Sequence, residues 1–157
     1  MRRLAALLLM LTAAAPAREP IGVYYAWGAF REGGRCFASS EPPARRETPN
    51  RPFAAVTYAP ALGLRGQLHV RLSRERREGS AVILRIDDQT FQLIAGASDA
   101  WAPDRRADGA IVAAMRGGVD MVVETRSAGG ALVRDNYALR GAASAIDAAA
   151  PACARRR

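Results

Sequence analysis

Residues 66–94 read GQLHVRLSRERREGSAVILRIDDQTFQLI, and this stretch decides the fold. Leu68, Val70 and Leu72 alternate with Gln67, His69, Arg71 and Ser73, the two-residue period of a strand with one buried face. Arg74 to Gly79 makes a charged turn, and Ala81 to Ile86 is nearly all apolar. Asp87-Asp88 then supplies a tight reversal into Thr90 to Ile94. The pattern predicts three antiparallel strands in a meander with one wet face.

Toward the C-terminus, Ala95 to Pro103 reads as a loop holding Trp101. Ala107, Ile111, Ala114 and Met115 recur at helical spacing, with Asp104 or Asp108 to cap the start and Gly117-Gly118 to end the helix. Val119 to Thr125 returns to strand character, with Met121 and Val123 on one face. Ser127 to Gly130 suits a hairpin turn into Leu132 to Leu139, and an alanine-rich helix from Ala142 to Ala150 is expected to stop at Pro151. Toward the N-terminus, Phe53 to Tyr58 reads as a strand. Glu41 to Pro52, with four of the nine prolines, must be a loop. Ile21 to Phe30 and Arg35 to Ala38 read as two short strands around Gly33-Gly34. The fold class is mainly β: a small β-sandwich of antiparallel strands with one or two short helices.

The chain opens with Arg2 and Arg3, an apolar run from Leu4 to Leu11, and Ala15-Pro16-Ala17. That order is a secretory signal peptide over residues 1–17, cleaved after Ala17, and its apolar run is too short to span a bilayer. The expected domain is residues 18–154, followed by a basic tail, Arg155 to Arg157. No transmembrane segment is expected in the mature chain. The formal charge of +8 falls to +3 over residues 18–154, where 18 arginines face 15 acidic residues and there is no lysine. Nucleic acid is therefore not the expected partner.

Cys36 and Cys153 have neither metal-ligand spacing nor a redox pattern. In an exported chain a disulfide is expected, closing a loop of over a hundred residues; two unpaired buried thiols are the alternative. His69 is the only histidine, and it has no cluster of ligands and no nucleophile-elbow signature around it. Asp87-Asp88 is read as turn chemistry rather than a glycosidase pair, since such carboxylates face each other across about 5 to 10 Å. Trp27 and Trp101 are read as core anchors. No catalytic residue, metal site or cofactor is expected. Arg71, Arg74, Arg76 and Arg77 form the densest basic run and are the candidate contact for an anionic lipid or polysaccharide.

An early Trp and Cys, the central strands, Ala113-Ala114-Met115-Arg116-Gly117-Gly118 before a strand, and Tyr137-Ala138-Leu139-Arg140-Gly141 running into a helix together resemble the invasion-associated locus B family. The chain lacks the further cysteine pair of that pattern, so it is expected to be a divergent member. The resemblance implies a small β-sandwich-like domain behind a signal peptide. Export, the expected disulfide and the absence of an active-site pattern make the expected function non-enzymatic binding of an envelope or host component, periplasmic or secreted. Two other readings are an envelope hydrolase acting on glycan or ester substrates, and an inhibitor or chaperone-like partner of another exported protein.

Overall fold

The computed structural model describes residues 17–43 and 48–154. Apart from Ala17, the expected leader and the basic tail lie outside those residues. Among the described residues, ten antiparallel strands form one hydrogen-bonded series. Its order is β1 (Glu19–Tyr24), β2 (Trp27–Glu32), β3 (Arg35–Ser40), β4 (Phe53–Ala59), β5 (Leu64–Arg71), β8 (Asp99–Trp101), β7 (Gln89–Ala95), β6 (Val82–Ile86), β9 (Asp120–Arg126) and β10 (Leu132–Ala138). Two helices, α1 (Arg105–Gly117) and α2 (Ala142–Ala154), complete the mainly β fold. No helix among the described residues is long and apolar enough to cross a membrane.

The series bends so that both halves enclose one core. Leu68, Val70 and Leu72 share a cluster with Leu84, Ile86 and Met121, and each fully buried Leu or Ile contributes about 2 kcal/mol. Trp27 is completely buried, as expected of a core anchor, and donates its indole N–H to the Ala138 carbonyl at 2.9 Å, tying β2 to β10.

The central stretch is not a meander. β6 and β7 form the expected hairpin about Asp87-Asp88, but β5 pairs with β4 and β8 rather than with β6. The charged segment after β5 is a crossing between the two halves of the sheet. Arg76 holds it there, donating to the carbonyls of Ala95, Gly96, Arg77 and Ser80. The stretch read as a loop contributes β8, because Ala100 enters the core opposite Val70.

The N-terminal stretch also divides further than expected. Ile21 to Phe30 is two strands, β1 and β2, joined at Tyr25-Ala26, where Tyr25 adopts φ 55°. A left-handed conformation costs a non-glycine residue about 1–2 kcal/mol. The Arg140 guanidinium, stacked 3.9 Å from the ring centroid of Tyr25, helps to offset that cost.

Asp104 caps α1 by accepting the Ala107 N–H at 2.8 Å. Helix α2 does not stop at Pro151 but runs through it to Ala154. Proline removes one helical hydrogen bond, yet the final turn is secured from outside. Arg31 donates to the Ala152 carbonyl at 2.9 Å, and Cys153 is bonded to Cys36 on β3. The disulfide closes a sequence separation of 117 residues, which overturns the free-thiol alternative.

Two predictions follow from these buried links. The Cys36→Ser/Cys153→Ser double variant should lose about 2–5 kcal/mol of unfolding free energy in urea titrations, and reduced wild type should behave like it. The second concerns Asp135, 4% exposed in β10, which accepts the Ser73 N–H at 2.9 Å. Burial pushes its carboxyl above the usual carboxylate range, against the pull of the Ser73 hydrogen bonds. A raised pKa stabilises the fold fully below the ordinary carboxylate value, and that contribution is lost as pH rises through the raised one. Wild type should therefore lose stability relative to Asp135→Asn as pH rises above the ordinary carboxylate value of about 4, by at most about 1.4 kcal/mol per pH unit, until the raised pKa is passed.

Candidate functional site

Strand alternation sends one set of side chains inward and leaves the other on a bare outer face. Ala29, Cys36, Ala38, Ala54, Val56, Leu68 and Val70 point into the core, where α2 packs chiefly on β1–β4 and α1 on β5. The opposite face of the same strands carries Phe30, Phe37, Ser39, Phe53, Ala55, His69, Arg71, Asp99 and Trp101. Neither helix packs there, and the four aromatic residues are only half-buried.

Cross-strand register organises this face. His69 pairs with Trp101, and their rings stack with centroids 5.1 Å apart and planes 7° from parallel. Phe53 meets the imidazole edge-on at 5.0 Å. Arg71 pairs with Asp99 and grips its carboxylate with two N–H groups at 3.0 and 3.1 Å, while His69 Nε2 lies 2.8 Å from the same carboxylate. Partial burial pushes Asp99 up, but the hydrogen bonds from Arg71 and His69 win and hold its carboxyl below the usual range. At the other end, Phe30 and Phe37 lie 5.7 Å apart under the Arg18 guanidinium, which pairs with Glu32 at 3.6 Å.

Beyond Phe30 the face opens into a recess of about 440 Å³ near the start of the chain's described part. Arg18, Val23, Tyr25, Phe30, Ser39 and Glu41 line it. The Phe30 ring lies directly over Gly28, since a β-carbon there would stand 2.5 Å from the ring. Any side chain at position 28 would push that wall away.

The face offers aromatic rings and paired charges. His69 has a carboxylate partner, but no hydroxyl or thiol is hydrogen-bonded to its ring among the described residues. Nor does any group of three His, Cys, Asp or Glu among them have the geometry to hold a metal.

The four arginines singled out from the sequence fall into separate places. Arg71 belongs to the aromatic face and Arg76 is bound to backbone carbonyls, whereas Arg74 and Arg77 stand exposed. Asp87 takes the left-handed turn position, φ 49°, and its carboxylate accepts the N–H groups of Val119 and Asp120, tying the hairpin to the start of β9. Trp101 is not a core anchor like Trp27: it stands half-buried on the outer face, because Ala100 takes the inward position in β8. The aromatic face itself was missed. Its available signal was the placing of Phe37, Phe53 and His69 at strand positions that alternation assigns to the wet side.

No family model matches the chain, and no curated protein matches its sequence. A solved structure does match its shape. The crystal structure of invasion associated protein B from Bartonella henselae aligns with a TM-score of 0.54, covering 80% of this chain and 92% of that one at 15% identity. The chain has the invasion-associated protein B fold. At that identity the likeness establishes architecture, and it agrees with the resemblance carried by the sequence. On this invasion-associated protein B fold, the charged pair beneath the rings is a testable support for the face. Asp99→Asn should cost about 1 kcal/mol at neutral pH in urea titrations. A depressed carboxylate stabilises above its ordinary pKa and loses that contribution as pH falls through the depressed value, so the difference from wild type should vanish in acid.

Proposed function

We propose that the chain is an exported, non-enzymatic binding protein of the cell envelope, and that the bare aromatic face and its recess are the binding surface. The observation that carries this reading is a row of half-exposed rings with no helix over it, since apolar surface left open on a folded protein marks interaction. Export is supported by the leader pattern at Met1 to Ala17 and by a disulfide, which persists in oxidising compartments. The protein would be periplasmic or secreted, and its partner an envelope or host component. Anionic lipid or polysaccharide would be met by Arg74 and Arg77, whose side chains make no bond among the described residues, more readily than by the engaged Arg71 and Arg76.

One observation favours a second reading. The His69 and Asp99 pair is the arrangement a hydrolase would use to orient a base, so an envelope hydrolase acting on glycan or ester substrates is the rival. An inhibitor or chaperone-like role toward another exported protein would be one form of the binding function.

The test is fractionation of the native host followed by intact-mass measurement. The expected product begins at Arg18, is two hydrogens lighter than the reduced chain, and sediments with the envelope. Trp101→Ser should release it into the soluble fraction, while His69→Ala should remove no hydrolytic activity. A full-length chain with free thiols, or retention unaffected by Trp101→Ser, would sink the proposal.

A further inference from the structure

The end of the sheet beside the recess is unlike the other end. Three of the seven large hydrophobic side chains exposed among the described residues lie on β1 or the turn after it: Ile21, Val23 and Tyr25, at 36%, 73% and 69% exposure. Among the described residues strand β1 pairs only with β2, and none of them pairs along its far edge. In the hairpin closed by Tyr24 and Trp27, alternation makes Val23 opposite Gly28 a non-hydrogen-bonded pair. The N–H and C=O of Val23 therefore point away from β2, and they find no other partner among the described residues. The opposite end strand, β10, exposes one large apolar side chain, Leu132, beside Arg134 and Asn136, and its last carbonyl is taken by Trp27.

We infer that β1 is a strand-addition site, at which an extended segment of another protein pairs with the Val23 edge and places an apolar side chain in the recess lined by Tyr25 and Phe30. This rests on the reading of that face as a binding surface and names its occupant. The outward N–H and C=O of Val23, a donor and an acceptor on one extended residue, are matched by another polypeptide strand, which selects a peptide over a lipid or glycan. The two charged residues that line the recess point the same way, Arg140 lying against the Tyr25 ring outside the lining. Arg18 is paired with Glu32 and Glu41 with Arg51, so a charged ligand would have to break a pair and an apolar side chain would not. Pro20 lacks an N–H, and the register shift between Pro20 and Gly22 twists that half of the edge, so pairing is confined to the Val23 end. That restriction limits indiscriminate stacking of copies.

The test uses the ¹⁵N-labelled chain as its host processes it. The probes are a short peptide of alternating valine and threonine, and the same peptide N-methylated at alternate residues in either phase. Binding should slow hydrogen exchange at the Val23 amide and shift the signals of Val23, Tyr25 and Ser39. Either N-methylation of the face that meets β1 or Val23→Lys should weaken it at least tenfold. Because Val23 is largely exposed, the lysine variant should keep the wild-type spectrum elsewhere. Equal binding by both methylated peptides, shifts confined to other strands, or no binding would overturn the inference. So would a Val23 amide already protected in a concentration-dependent dimer, which would make the occupant a second copy. If the peptides fail while Trp101→Ser still releases the protein from the envelope, strand addition is wrong and the binding function stands.

Discussion

One covalent bond joins the second residue of β3 to the penultimate residue of α2 and holds the last helix beneath the first strands. Without it, α2 would rely on small side chains, Ala142, Ala145 and Ala149 with Ile146, for its grip on the sheet. Alanine buries little area, so such an interface is weak by transfer alone. The bond also explains how a helix can pass through Pro151 and still present an ordered final turn. With α2 fixed on the inner side, neither described helix covers the other side of β2–β5.

Much of the architecture was legible. The alternation in β5, the hairpin about Asp87-Asp88, the capped helix after Asp104, and the strands on either side of Ser127 to Gly130 all carry local signals that tertiary structure left in place. What was not legible depended on partners far along the chain. β8 is three residues long and announces itself only by pairing with β5 and β7, which is why Trp101 was assigned to a loop and to the core. The break at Tyr25 uses a residue with no turn preference, held by Arg140 more than a hundred positions away. Of the aromatic face, Arg71 and His69 are legible individually. Their common partner Asp99 and the neighbouring Phe30, Phe37 and Phe53 could be grouped only once the position of the helices showed which face was open.

Several arginines among the described residues are structural. Arg76 gathers four carbonyls at a crossing, Arg31 secures the end of α2, and Arg85 and Arg134 flank Glu124 on the second half of the sheet. A guanidinium suits such work because it offers five donors in a rigid plane. A high formal charge is thus a poor guide to the partners of this protein, since much of it is satisfied internally.

The disulfide has a mechanical meaning as well. A pull applied between residues 18 and 154 would pass through the sulfur bridge and bypass everything from residue 36 to residue 153. Only what precedes the bridge, β1, β2 and the first residue of β3, bears that load as non-covalent structure and can be peeled. The molecule therefore divides into a clamped body and a short yielding arm, and the arm is the part that bears the open edge.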